Sequence, residues 1–178
     1  MSKIAMIYST TDGLTKEILN FIKANFTSSH TVKFSPISDA GKLELEKFDK
    51  IVLGASIRYG KHKPELFDFV ASKKEILAKK ETFFFSVNVV ARKPEKSTPA
   101  TNPYMQKFLK KTGWKPNHTE VFAGKVNYPI YNFFDRNVIR FIMFITKGPT
   151  DVKYCHEFTD WSSVCLLYTS DAADETER

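Results

Sequence analysis

The sequence has little cysteine and no long hydrophobic segment free of charge. Its two cysteines, Cys155 and Cys165, show no metal-binding or redox spacing, which favours a reduced cytosolic protein without a metal site. No run of about 18 uncharged apolar residues is present, and no basic segment followed by an apolar core and a cleavage site opens the chain. We therefore expect a protein that is neither exported nor membrane-spanning.

The chain does contain abundant apolar side chains and an excess of positive charge. Its 178 residues are 42% hydrophobic and 14% aromatic, which predicts one globular domain with a sizeable core. The formal net charge of +7 indicates an anionic partner, such as a nucleic acid, a membrane surface or an acidic small molecule. The sign of the charge alone does not choose among these three.

Apolar strand patterns alternate with helical patterns along the chain, which predicts an α/β fold with a parallel sheet and right-handed crossovers. In such a sheet, ligands bind outside the carboxyl ends of the strands. The predicted strands are Lys3 to Ser9, His30 to Pro36, Ile51 to Ala55, Phe83 to Val87 and Val121 to Gly124, and the predicted helices are Leu14 to Phe26, Pro64 to Leu77 and Asn102 to Lys111.

The segment Ser9-Thr10-Thr11-Asp12-Gly13-Leu14-Thr15 joins the first strand to the first helix. Its hydroxyls can donate hydrogen bonds, Gly13 allows close approach of a ligand, and the helix directs free N–H groups into the turn. These features predict a phosphate-binding loop. We expect Asp12, whose charge opposes phosphate contact, to cap backbone N–H groups or to face solvent. An ordinary Ser/Thr-rich turn is the alternative.

This loop resembles the phosphate loop of flavodoxins, with one departure, because Asp12 stands where a flavodoxin typically has Gly directly after the second Thr. Two further segments, Gly54 to Gly60 (GASIRYG) and Ser86 to Lys96 (SVNVVARKPEK), narrow the resemblance. Together they resemble the menaquinone-dependent protoporphyrinogen IX dehydrogenases, which are flavodoxin-like enzymes of bacterial haem synthesis. The similarity runs from about Met1 to Val164.

The resemblance implies a flavodoxin-like three-layer sandwich around a five-stranded parallel sheet of order 2-1-3-4-5. It also implies FMN, with its phosphate in the Ser9 to Thr15 loop. We expect Ile57 and Tyr59 to flank the flavin ring, with Gly54 and Gly60 supplying the bends of this loop. A plain turn bounded by glycines is the alternative. The polar edge of the ring is then expected at Ser86, Val87 and Asn88, although an Asn at a strand end can instead cap the turn.

The activity implied by the resemblance is FMN-dependent oxidation of protoporphyrinogen IX to protoporphyrin IX, with electrons passing to a membrane quinone, menaquinone or ubiquinone. Arg92 and Lys93 lie beside the predicted flavin rim, and we expect them to bind the substrate propionates, with phosphate or lipid contact as the alternative. No residue stands out as an acid/base catalyst, and His62 and Tyr59 are the candidates for proton handling. We expect no nucleic-acid partner.

Two other functions fit a flavodoxin-like fold. A flavodoxin-type soluble electron carrier is typically acidic so that it docks on basic reductases, which the net charge of +7 contradicts. An FMN-dependent quinone reductase fed by a nicotinamide needs a nicotinamide pocket, and the sequence shows no second Gly-rich fingerprint.

The region from Val126 to Pro149 is a strongly apolar insert near the fifth strand. On a helical wheel, Asn132, Arg136 and Arg140 line one narrow stripe, and the remaining circumference is apolar. This pattern predicts a segment that lies in the bilayer interface or lines a quinone channel, with an extra core helix as the alternative. Together with this pattern, the resemblance implies a bacterial cytoplasmic protein bound peripherally to the cytoplasmic face of the inner membrane.

The C-terminal residues depart from the pattern of the rest. Thr159 or Asp160 is predicted to cap a last helix, but its periodicity stops after about Val164. The string from Cys165 to Arg178 resembles translated adapter sequence. We therefore predict one flavodoxin-like domain over residues 1–164, with the insert at about 126–149, and a non-native tail over residues 165–178.

Overall fold

A parallel sheet of five strands forms the centre of the computed structural model, which describes residues 2–26 and 30–165. The strand order is β2-β1-β3-β4-β5, and each neighbouring pair is parallel. This order confirms the predicted topology. The strands are β1 (Lys3–Ser9), β2 (Thr31–Pro36), β3 (Lys50–Ser56), β4 (Glu81–Asn88) and β5 (His118–Ala123).

Helices cover both faces of this sheet, as the three-layer prediction requires. Successive residues of a strand point to opposite faces, so Ile4 and Met6 of β1 lie in one apolar cluster and Ala5 and Ile7 lie in the other. The helices are α1 (Leu14–Asn25), α2 (Ile37–Ala40), α3 (Pro64–Ser72), α4 (Lys74–Lys79), α5 (Pro103–Thr112) and α6 (Phe133–Ile145).

The central strands β1, β3 and β4 are buried along almost their whole length. This burial explains their nearly continuous apolar sequences, because helices pack on both faces of a parallel sheet. Gly54 lies inside β3 and not in a bend, which corrects the expectation that it starts the second loop. A Cβ at Gly54 would lie 2.3 Å from the ring of Phe85, so the close packing of that ring requires glycine.

Two features of the chain differ from the sequence prediction. The helix predicted from Pro64 to Leu77 is divided into α3 and α4 at Lys73, whose ψ of 13° leaves the helical region. A second, antiparallel sheet pairs β6 (Lys125–Asn127) with β7 (Cys155–Glu157). These strands of three residues are too short to show a periodicity, and they pair the start of the insert with a segment that follows its end.

The helix α6 presents an apolar face that the rest of the described chain does not cover. Phe133, Phe134, Phe141 and Phe144 are 77%, 71%, 63% and 73% exposed, whereas Met143 is the buried side chain of this helix. This exposure does not favour the alternative of an extra core helix, although Met143 packs in a small apolar cluster with Val126, Tyr128 and Tyr131. Over the described residues, no helix combines the length and hydropathy needed to cross a bilayer.

The last described residues, 161–165, are helical, and Val164 packs into the same apolar cluster as α1. The predicted non-native tail lies outside the described residues except for Cys165. The domain boundary at residue 164 therefore stays a prediction.

Candidate functional site

The loop between β1 and α1 has the geometry of an anion-binding turn. Gly13 precedes α1 with a φ of 89°, a left-handed conformation that glycine adopts without strain. Its N–H donates to the Thr10 Oγ1 at 3.0 Å, and no side chain in the described part of the chain caps the first turn of α1. The free N–H groups of that turn, with the positive end of the helix dipole, are therefore offered to a ligand.

Two hydroxyls of this loop are buried without a hydrogen-bond partner among the described residues, the Oγ of Ser9 and the Oγ1 of Thr15. Both residues are almost completely inaccessible to solvent. Leaving a buried polar group unpaired costs about 1–3 kcal/mol, so such groups usually have a functional reason. The two hydroxyls and the open helix end fit the phosphate that the sequence predicts here.

Four loops meet at the carboxyl edge of the sheet and line a narrow cleft next to this turn. Ser56, Val89, Gly124 and Lys125 also line the cleft but were not predicted as site residues, although each lies at or just after the carboxyl end of a predicted strand. The predicted cofactor-binding residues that line the cleft are Thr10, Thr11, Asp12, Leu14, Ile57, Val87 and Asn88. Their binding of a cofactor stays a prediction.

Asp12 is held by an ionic network that joins the loop to the insert. The Nη1 of Arg58 donates to both carboxylate oxygens of Asp12, at 2.9 and 3.1 Å, and its Nη2 donates to the Asp135 Oδ2 at 3.1 Å. The Tyr131 hydroxyl also donates to Asp12, at 3.0 Å. The expectation that Asp12 caps backbone N–H groups or faces solvent is therefore wrong, and its negative charge is paired beside the predicted phosphate position.

Tyr59 is directed toward α6. It has a φ of 49°, which is uncommon for a residue other than glycine, and its hydroxyl donates to Asp135. The guanidinium of Arg58 lies 5.5 Å from the centre of its ring. Tyr59 does not line the cleft described above, so its predicted contact with a flavin ring and its role in proton handling stay predictions.

A buried polar chain runs beneath the cleft. The His62 Nε2 lies 3.2 Å from the Ser86 Oγ, and the Asn88 Nδ2 donates to the same oxygen at 3.3 Å. The amides of Asn88 and Asn102 bond to each other, and the Asn88 Oδ1 accepts from the Ala91 N–H at 3.0 Å. Asn88 therefore caps the turn after β4 and also lines the cleft, so the two interpretations of this residue are compatible.

The burial of His62 predicts a pH dependence of stability. Burial lowers the pKa of His62 to about 4, so the ring is uncharged at neutral pH. The unfolded chain binds a proton at this residue below about pH 6.5, whereas the folded chain does so only near pH 4. We expect this residue to remove up to about 3 kcal/mol of the free energy of unfolding as pH falls through that interval.

Denaturant titrations of the wild type and of His62→Phe, at pH 7 and pH 4.5, measure this effect. The variant keeps an aromatic ring beside Phe84 and Phe108 but does not titrate. Its loss of stability on acidification is expected to be smaller than that of the wild type. Equal losses for the two proteins would contradict a buried, uncharged His62.

Arg92 connects the loop after β4 to the C-terminal end of α6. Its Nη1 donates to the carbonyl of Val89 at 3.0 Å, and its Nη2 donates to the carbonyl and the hydroxyl of Thr146 at 2.9 and 3.0 Å. These donors are therefore used within the chain. Binding of substrate carboxylates by Arg92 and Lys93 stays a prediction, but the geometry favours a positioning role for Arg92.

We expect Arg92→Gln to lower the free energy of unfolding by about 1–2 kcal/mol, because it removes hydrogen bonds from a charged donor that is half-buried. Lys93→Gln is the matched control, since it removes a neighbouring positive charge. Urea titration of both variants measures the difference. A raised KM for a carboxylate substrate, with unchanged stability, would instead indicate direct substrate contact by Arg92.

Comparison with known proteins shows which family the chain matches. A family model described as a flavodoxin domain matches residues 5–153. A protoporphyrinogen IX dehydrogenase (quinone) of Leishmania major is 42% identical over 164 residues, covering 91% of this chain and 71% of that protein. The Escherichia coli K12 protein of the same name is 37% identical over 171 residues, covering 91% of this chain and 90% of its own.

Solved structures with a similar backbone include oxidised flavodoxin 1 from Bacillus cereus, at 22% identity and a TM-score of 0.44. The match covers 68% of this chain and 84% of the flavodoxin chain. A flavoprotein from Lactobacillus acidophilus in complex with FMN has 14% identity and a TM-score of 0.47, and covers 68% of this chain and 93% of its own.

Proposed function

We propose that this chain, which belongs to the flavodoxin-domain family of quinone-linked protoporphyrinogen IX dehydrogenases, oxidises protoporphyrinogen IX to protoporphyrin IX in haem synthesis and passes the electrons to a membrane quinone. Membership of this family makes the chain an oxidoreductase, and the flavodoxin domain supports FMN as its cofactor. The similarity to the two dehydrogenases supports the reaction, and the observation that carries the cofactor assignment is the pair of buried hydroxyls of Ser9 and Thr15, which have no partner among the described residues, in the loop that fits a phosphate.

The residues of this loop would hold the phosphate of FMN. The hydroxyls of Ser9 and Thr15, which lack a partner among the described residues, would donate hydrogen bonds to it, and the free N–H groups of α1 would face the same anion. Arg58 neutralises Asp12, so the carboxylate in the loop does not repel the phosphate. When bound, FMN supplies the hydride and electron transfer chemistry, and the protein orients it and excludes competing reactions.

The apolar face of α6 supports a place for the enzyme at the membrane. Its four exposed phenylalanines form a surface of the kind that marks partner or membrane contact. Arg136 and Arg140 lie on the same helix, and the chain carries a net charge of +7, which attracts anionic lipids. We therefore propose that the protein docks on the cytoplasmic face of the bacterial inner membrane through α6, where a membrane-dissolved quinone is accessible.

Two measurements on the purified protein test the function. Flavin released by acid is expected to chromatograph as FMN, and a product that is mainly FAD would contradict the phosphate-loop assignment. Anaerobic mixing of protoporphyrinogen IX with excess flavin-loaded protein is then expected to bleach part of the flavin absorbance while porphyrin fluorescence rises, because each conversion removes six electrons and each FMN accepts two. Added quinone is expected to restore the flavin absorbance. Mixing with protoporphyrin IX is the control, because it has no electrons to give. A flavin that stays oxidised with protoporphyrinogen would refute the proposed reaction.

A further inference from the structure

A second cavity, of about 370 Å³, lies between the loop after β3 and the helices α3 and α5. Its volume is within the range of small-molecule sites, roughly 300–1,000 Å³. Ile57 lines both this cavity and the cleft at the phosphate loop. A molecule in the cavity would therefore lie one side chain away from the predicted cofactor cleft.

The wall of the cavity is aromatic. Phe67, Phe108 and Tyr104 line it, and His62 lies against Phe108 with a distance of 5.1 Å between ring centres. His62 is buried and carries no charge at neutral pH. Such a wall fits a flat or ring-containing ligand, because aromatic rings pack favourably on one another.

Positive charge lies around the cavity. Lys61, Lys107 and Lys111 line it together with a single carboxylate, Asp68, which leaves an excess of two positive charges. Among the described residues, none of these lysines has an ion-pair partner, and the Lys111 Nζ lies 4.3 Å from the ring centre of Phe67. The cavity therefore offers two uncompensated cations beside an aromatic wall.

We propose that this cavity binds the carboxylate-bearing edge of a tetrapyrrole substrate, with the propionates at Lys107 and Lys111 and the attached rings against Phe67 and Phe108. The inference rests on the proposed function, since protoporphyrinogen carries two propionates. A complete tetrapyrrole exceeds the cavity volume, so only its edge enters and the remainder lies at the opening. The guanidinium of Arg92 is bonded to Thr146 and Val89, which leaves the lysines of α5 as the freer cations for this role.

The test compares two lysines in the cavity with a third on the same helix. Lys107→Gln/Lys111→Gln is the test variant, and Lys110→Gln is the matched control, because Lys110 is exposed on α5 but does not line the cavity. The probes are mesoporphyrin IX and its dimethyl ester, titrated by fluorescence against the flavin-loaded protein. Because two ion pairs with the carboxylates are lost, the test variant is expected to bind the diacid about tenfold more weakly.

The ester is expected to bind both variants as it binds the wild type, and Lys110→Gln is expected to bind the diacid normally. An equal loss in Lys110→Gln would reveal a general charge effect and overturn the proposal. Loss of flavin from the test variant would assign the cavity to the cofactor and also overturn it. If the test variant selectively loses diacid binding but the wild type does not oxidise protoporphyrinogen, the cavity site is supported and the proposed function is refuted.

Discussion

Replacing Phe141 and Phe144 by serine is expected to abolish most membrane binding and quinone-coupled oxidation while leaving bound FMN unchanged. Both side chains lie on the exposed face of α6, and burial of a phenylalanine stabilises by about 1.5–3 kcal/mol. Two such losses correspond to roughly a hundredfold weaker binding or more. Co-sedimentation with anionic phosphatidylglycerol vesicles measures the binding, and oxidation of protoporphyrinogen in the presence of the same vesicles and quinone measures the coupled activity.

Tyr154→Ser is the matched control, because Tyr154 is also an exposed aromatic residue but lies outside α6. It is expected to retain vesicle binding. Raised salt is expected to weaken but not abolish the binding of the wild type, since both apolar burial and positive charge contribute. If the double variant loses its flavin or fails to fold, with no separate effect on quinone turnover, α6 acts as core and the membrane proposal fails.

Replacing Ser9 by Ala and Thr15 by Val together is expected to weaken FMN binding by at least about a hundredfold. Each lost hydrogen bond to a charged oxygen is worth roughly 1.5–3 kcal/mol. The same change is expected to stabilise the flavin-free protein by about 1 kcal/mol, because it removes two buried hydroxyls that have no partner among the described residues. Flavin fluorescence titration and urea unfolding of the flavin-free protein measure the two opposite effects.

Thr10→Val provides the contrast, since the Thr10 Oγ1 already accepts the Gly13 N–H. Loss of this hydrogen bond is expected to destabilise the flavin-free protein, whereas the Ser9 and Thr15 changes are expected to stabilise it. The phosphate-loop assignment requires these opposite effects on the free energy of unfolding. An FMN dissociation constant unchanged by the Ser9 and Thr15 variant would contradict the assignment of these hydroxyls to the phosphate.

The sequence alone determined the strands and most helices, because their signals are local. The apolar segments that became β1, β3 and β4 are buried on both faces, and the spacing of Leu14, Ile18 and Ile22 predicts α1. The loop from Ser9 to Thr15 was also identified locally, since its hydroxyls, its glycine and the following helix are adjacent in the chain. The strand order, in contrast, came from the family resemblance and not from periodicity.

Only the tertiary structure decided how distant side chains combine. Arg58 pairs with residues 46 and 77 positions away, Asp12 and Asp135, so no local pattern reveals that Asp12 is neutralised. Likewise, the cavity between α3 and α5 brings together Lys61 and Lys111, which are separated in sequence by the whole of β4. The reason is physical: periodicity specifies which face of an element is apolar, whereas the sheet register and the packing of the helices specify which loops and faces meet.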